Sequence, residues 1–561
     1  MKMTKAVWIV LLFTAAHCQS DHVERQTKLG KLRGNQLKIL GNLIEEYVGI
    51  PYAEPPIGDL RFKEPVPRSP WIGTYDATTG GSACPQQHIF ENTKKPLIYT
   101  EDCLHLNVWM PQNAQKSNVL VWIHGGGFTC GSASYEIYTG SVLAAKTGFV
   151  VVSINYRLGM LGFLNAYTPD APGNQGLLDQ NLALKWVRDN IEAFGGDPSM
   201  VTIFGESAGG MSVHSHVLSP MSKGLFKRAV IMSGSMYTID FFDSVHESII
   251  TGNKVAQLVG CAKVNRDLVS HPDEVLQCLR SKKADELALA TPEGSDADEL
   301  TFRPTYHDTF FPKIPTVAMD RGFFQDVEIL TGVTTDEGAQ TILFSPTPEL
   351  LKESLEDLAQ DKFDHAIRKS VLSVVKSDDT SLLSEYLGRV PPGDKEGLRR
   401  AYIDYLSDRA FNCPGQFLAE KHSARGSPVY FYVFAHKSKK YGLPSWMGAP
   451  HHTDVAFFLA LPLDSDAGYS DEDRQISEAM VTMLTSFAKT GYKNWKKEFS
   501  CNPSRLLVCS KGMDHSMPEE VQKVFLCFRF FYLSVVLSAF TLGNLVPGFL
   551  QRMTLLCHPL P

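Results

Sequence analysis

The 561-residue sequence predicts an α/β protein in which one large, mostly parallel central sheet carries helices on both faces. Three observations predict it. Six short segments are apolar runs rich in β-branched and aromatic residues: NVLVWIH (118–124), FVVVSINY (149–156), MVTIFGES (200–207), RAVIMSGS (228–235), VEILTGVT (327–334) and VYFYVFAH (429–436). Strands covered on both faces read this way, whereas strands with one wet face alternate apolar and polar. Helical stretches lie between the runs, such as NLALKWVRDNIEAF (181–194), apolar at Leu182, Leu184, Val187, Ile191 and Phe194. Strands that alternate with helices imply crossover connections, and these place helices on both sides of a parallel sheet. No internal repeat or low-complexity linker interrupts the pattern, so residues 19–495 read as one domain.

From the N-terminus, MKMTKAVWIVLLFTAAHCQS has Lys2 and Lys5, an apolar run over 6–16 and a small-residue ending. This is a signal peptide, residues 1–18, cleaved after Cys18; its apolar run is too short to cross a bilayer. Secretion is therefore expected, and the later cysteines become candidates for disulfides. The sequence has no N-x-[ST] site with x other than Pro. TKLGKLRG (27–34) reads as part of a hairpin and GIPYAEPPIGDLRF (49–62) as an irregular Pro-rich segment. Hydrophobic content of 43 % and charged content of 20 % suit a globular protein with a large core. A net charge of −7 with no long Lys/Arg run gives no footprint for nucleic acid.

The stretch VTIFGESAGG (201–210) holds the first candidate for chemistry. Val201, Thr202 and Ile203 read as a strand, Gly205 and Gly209 bracket Ser207, and the following residues can form a helix. G-x-S-x-G in a strand–turn–helix context is a nucleophile elbow; the plainer alternative is a tight turn with a small residue in it. WIHGGGF (122–128) supplies a glycine loop after another strand, so Gly126, Gly127 and Ala208 are the expected oxyanion-hole donors. A phosphate cradle is the competing use of such a loop, but neither a Walker lysine nor a G-x-G-x-x-G run opening a helix is present. An acid is expected after a later strand, and VEILTGVTTDEGAQTILF offers Glu337, with Asp336 as fallback. The pair can equally favour a helix dipole, and spacing does not separate the two roles. Among His365, His422, His436, His451, His452, His515 and His558, the loop SWMGAPHHTDVAFF singles out His451 or His452 as the base.

These motifs, with GIPYAEPPIGDLRF, EDCLHLNVW (101–109), SINYRLGMLGFL (153–164) and the run from GNQGLLDQ to GESAGG (173–210), resemble the type-B carboxylesterase and cholinesterase family over about residues 25–495. The resemblance implies an α/β-hydrolase fold and a serine esterase that works through an acyl-enzyme on Ser207, with Glu337 chosen over Asp336. It also selects His451 over His452, by the distance to LPL at 461–463. It implies disulfides Cys84 to Cys103 and Cys261 to Cys278, and buried ion pairs of Arg61 with Glu101 and of Arg157 with Asp179. The expected substrate is a small-molecule or lipid ester, and no metal or organic cofactor is needed. Cys130 reads as a buried free thiol, and Cys501 or Cys509 are candidate partners for Cys413. A cholinesterase or a lipase is the alternative within the family. A catalytically silent adhesion module is the alternative outside it, and the retained Ser207, Glu337 and His451 speak against that one.

The sequence departs from the family in two places. The loop CPQQHIFENTKKPLIYTEDC (84–103) has no tryptophan to bind a choline cation, and Lys94 and Lys95 would repel one, so a general carboxylesterase is favoured over a cholinesterase. After SFAKTGYKNW the likeness fades, and residues 496–561 form an atypical tail. Within it, 530–550 has no charged residue but contains Gly543, Asn544 and Pro547. Attachment to a membrane through this tail, directly or by a lipid anchor, is an open alternative; a terminus foreign to the family is the favoured reading.

Overall fold

The computed structural model describes residues 22–87, 96–238, 241–290, 301–343, 348–359, 361–363, 365, 381–491 and 506–509. The signal segment, Lys94 and Lys95, His515, His558, Cys501 and the apolar run 530–550 lie outside the described residues.

Twelve strands form one sheet: β1 (His22–Gln26), β2 (Lys31–Ile39), β3 (Asn42–Pro51), β4 (Thr74–Asp76), β5 (His105–Pro111), β6 (Ser117–Ile123), β7 (Val150–Ile154), β8 (Gly196–Glu206), β9 (Arg228–Met232), β10 (Glu328–Thr334), β11 (Val429–Phe434) and β12 (Leu506–Cys509). Their spatial order is β1-β2-β3-β5-β7-β6-β8-β9-β10-β11-β12, with β4 beside β2. The pairs from β7 to β11 are parallel, and both flanks of the sheet are antiparallel except for β4, which runs parallel to β2. The N-terminal hairpin is β2 with β3, and all six apolar runs are strands of the parallel core.

The reason for the continuous apolar reading is visible in the packing. Along β6, Val119, Val121 and Ile123 enter one hydrophobic cluster while Leu120 and Trp122 enter the cluster on the opposite face. Val150, Val152 and Ile154 on β7 face the first cluster, and Val151 faces the second. Period-2 geometry thus sends alternate side chains to two dry layers. Helices α1 (Gln175–Asn190) and α2 (Ala208–Leu218) cover the first face; α5 (Asp471–Thr490) covers the second, and α3 (Lys395–Ser407) and α4 (Cys413–Ala424) lie toward the β10–β11 side.

Disulfides join Cys84 to Cys103 and Cys261 to Cys278, as the resemblance implies. Cys130 is buried and free, and Cys413 is disulfide-bonded. Arg61 pairs with Glu101 at 2.5 Å and Arg157 with Asp179 at 2.6 Å, the second pair almost wholly out of solvent. Arg157 binds both Asp179 oxygens and also Lys63 O, which satisfies the charges that burial would otherwise leave costly. β12 lies inside the 496–561 segment that the sequence sets apart. Its four residues have no periodic signature; what brings them in is the open edge of β11, whose backbone groups they pair antiparallel from Phe431 to Phe434.

Candidate active site

The parallel strands end at one edge of the sheet, and the candidate residues collect there, as expected at the carboxyl ends of strands in an open α/β sheet. β8 runs into Ser207, whose backbone adopts φ 59°, ψ −126° before α2 starts at Ala208. This is a strained turn for a non-glycine residue, and it makes the strand reverse sharply into the helix. The neighbouring glycines allow it. A Cβ on Gly209 would stand 2.0 Å from Ile123 O, and one on Gly205 would stand 2.6 Å from the same oxygen, so only glycine lets α2 and β8 approach β6 this closely.

Glu337 follows β10 and is fully buried. Its Oε1 accepts from Ser233 Oγ at 2.6 Å and from the Thr334 N–H at 2.7 Å, and His451 Nδ1 donates to its Oε2 at 2.5 Å. The structure therefore brings Glu337 to the imidazole. Asp336 serves the loop instead: its Oδ2 accepts from the Ala449 N–H at 2.8 Å, its own N–H donates to Ala449 O, and its carboxylate pairs with Arg400 on α3. These bonds clip the histidine-bearing segment to the end of β10. Phe411, presented by a π-helical turn at Asp408–Asn412, packs its ring 4.4 Å from that of His451.

His451 and His452 stand on opposite sides of a residue that the sequence reading passes over. Glu206, the variable position of G-x-S-x-G, is buried at 1 % exposure. His452 Nδ1 donates to its Oε2 at 2.9 Å, and its Oε1 lies 3.0 Å from His451 Nε2 but outside hydrogen-bond geometry, so that oxygen has no donor among the described residues. Burial alone would push the Glu206 carboxyl up, yet His451 and His452 hold it below the usual value. Burial disfavours the charged His451 ring, but Glu206 and Glu337 outweigh it and raise this imidazole to about 9. Next along the loop, burial lifts Asp454 to about 7, aided by Glu206, while the hydroxyl of Tyr432 donates to Asp454 Oδ2 at 2.7 Å.

The other expectations divide. The N–H groups of Gly126, Gly127 and Ala208 donate no hydrogen bond within the described chain, while Gly126 O holds the loop by accepting from the N–H groups of Thr129 and Cys130. No hydrogen bond joins Ser207 Oγ to His451. His436 is committed to Asp473, to which its Nε2 donates at 2.7 Å, and His422 is buried on α4 beside Phe324. Sequence reasoning missed Glu206, Ser233, Asp454 and the part played by His452. Glu206 and Ser233 share one usable signal, a polar residue at the carboxyl end of an otherwise apolar parallel strand.

The family model of the carboxylesterase family matches residues 21–508. The match begins at the first strand of the sheet and reaches into the last, and it takes in every element that delivers a side chain to this edge. The chain belongs to the carboxylesterase family and is a carboxylic-ester hydrolase on the α/β-hydrolase fold.

Proposed function

We propose that the chain is a secreted serine carboxylesterase whose nucleophile is Ser207, whose general base is His451 and whose orienting acid is Glu337. The observation that carries this reading is the 2.5 Å contact of His451 Nδ1 with a buried Glu337, set at the sheet edge where the strained Ser207 turn opens. The Glu337 carboxylate fixes which ring nitrogen bears hydrogen and stabilises the imidazolium, leaving Nε2 to take the Ser207 proton. As the hydroxyl oxygen attacks an ester carbonyl, negative charge gathers on the carbonyl oxygen. The N–H groups of Gly126, Gly127 and Ala208 are free to receive it. His451 then protonates the leaving alcohol and activates a water that releases the acid from Ser207. Hydrolysis needs no other group.

A general carboxylesterase is the preferred reading over a cholinesterase, because the 84–103 loop has no tryptophan; Lys94 and Lys95 lie outside the described residues. Secretion is supported by the apolar leader and by the disulfides. Labelling with a fluorophosphonate, followed by peptide mapping, tests the central claim. Ser207 should carry the adduct, and Ser207→Ala should lose both labelling and ester turnover; an adduct elsewhere sinks the assignment. On a substrate panel, p-nitrophenyl or naphthyl esters of short acids should exceed choline esters in kcat/KM, and the reverse order would overturn the choline argument.

A further inference from the structure

The geometry points to His452 as a positioning residue for this reaction: it engages the Glu206 carboxylate and thereby sets how firmly His451 keeps its proton. The inference rests on the serine-esterase reading of the site and adds to it a residue that takes no part in bond making.

Three observations converge on His452. Its backbone lies at φ +77°, a left-handed conformation that strains any residue with a Cβ and that glycine would adopt freely. A histidine held there, beside the reacting groups, is a local cost with little packing return: its side chain is 31 % exposed and, among the described residues, its ring meets only Tyr138, edge-on with centroids 6.1 Å apart. What the conformation does achieve is the 2.9 Å hydrogen bond from Nδ1 to Glu206 Oε2. The third observation is the asymmetry of Glu206. Its Oε2 is satisfied by His452, while its Oε1 is buried, has no donor among the described residues and sits 3.0 Å from the nitrogen of His451 that must accept the serine proton.

The sign of the effect follows from charge. A carboxylate beside His451 Nε2 favours the imidazolium, which is useless as a base. His451 is in fact raised by Glu206 together with Glu337. The hydrogen bond that His452 donates to Glu206 Oε2 draws on the charge of that carboxylate and so weakens its hold on His451. The other groups facing the site act from fixed positions whether or not His452 is present. They are Glu337 after β10, Asp454 on the same loop with Tyr432 of β11 bonded to it, and Tyr138 with Cys130 from the glycine-loop side.

The test is kcat/KM against pH for a short-acid p-nitrophenyl ester, on the full chain and on His452→Gly, His452→Gln, Glu206→Gln and the Glu206→Gln/His452→Gly double variant. Glycine suits φ +77°, so His452→Gly should melt no lower than the parent. Its acid limb should move to higher pH by about one unit, the scale of one hydrogen bond to a charged group. His452→Gln, which keeps a donor for Glu206, should move the limb in the same direction by less. Glu206→Gln should move it to lower pH, and in that background His452→Gly should add no shift. A limb unmoved in both His452 variants, or an equal shift with and without Glu206, overturns the inference. Fluorophosphonate mapping on the parent separates the two levels. A Ser207 adduct with an unmoved limb sinks only the role of His452, whereas an adduct elsewhere removes the reading on which it rests.

Discussion

Ser207, Glu337 and His451 occupy their places for different physical reasons. Ser207 is held by a turn that its own neighbours in sequence create, so that turn was legible in ten residues. Glu337 was harder, because Asp336 beside it has the same charge and the same spacing. Spacing does not separate them; family likeness selects Glu337, and in the fold Ser233 and Thr334 hold its carboxylate toward the imidazole while Ala449 and Arg400 occupy that of Asp336. His451→Ala should lower turnover by about 10³–10⁶, as expected for a member of a triad, while His452→Ala should stay within about tenfold at the alkaline plateau. The reverse ranking would move the base by one residue. Ser233→Ala removes a 2.6 Å donor from buried Glu337. The loss of one hydrogen bond to a charged group is worth about 1.5–3 kcal/mol, so kcat should drop by about 10- to 100-fold if the bond orients the acid. Unchanged kcat with a lowered melting temperature would confine Ser233 to a structural role.

At the scale of elements, the elbow and the histidine loop illustrate two kinds of constraint. The elbow works because α2 starts almost in contact with β6. A methyl group at Gly209 meets Ile123 O at 2.0 Å, and backbone of a central strand cannot yield as a side chain can. Gly209→Ala should therefore destabilise the fold by about 1–3 kcal/mol or more, the range for overpacking, and should lower turnover with it. Calorimetry and a single ester assay decide this, and a variant with the parental melting point would refute the close-approach argument. The loop carrying His451 has no such local code. It is fixed by the Asp336 bonds to Ala449 and by the bridge between Asp336 and Pro450, contacts with the end of a strand more than a hundred residues earlier in the chain.

For the whole molecule, pH and the last strand give the measurable consequences. His451 has a folded-state value near 9, above its ordinary 6.5, so the stability it contributes is complete below about pH 6.5 and is lost as pH rises through 9. Asp454, lifted from 3.8 to about 7, acts in the same direction at lower pH: its contribution is complete below about pH 3.8 and is lost as pH rises to 7. Thermal stability should decline from pH 6.5 to 9, and the decline should be shallower in His451→Ala; a flat or rising profile in the parent would contradict it. The sequence by itself treats everything after 495 as separable. β12 argues otherwise, since truncation after Trp495 strips the partner from β11 and leaves an open edge of apolar strand. That truncation should lower the melting temperature and promote aggregation relative to one made after Cys509. Equal behaviour of the two would show β12 to be dispensable.

What the sequence determined by itself was whatever short-range chemistry encodes. The buried strands announce themselves through β-branched runs and the elbow through two glycines around a serine. The parallel α/β sheet follows from strands alternating with helices. Family likeness added the pairing of Cys84 with Cys103 and of Cys261 with Cys278, which spacing alone does not fix. What only the tertiary structure decided was which side chains meet across distance. Glu337 lies 114 positions from His451, and Glu206 lies 246 positions from His452. Their contacts depend on the order of strands in the sheet and on a loop clipped to a strand end, and no local pattern carries that information. Glu206 shows the limit most clearly. On the page it is the unspecified letter of a motif, and only burial beside two imidazoles couples its charge to theirs.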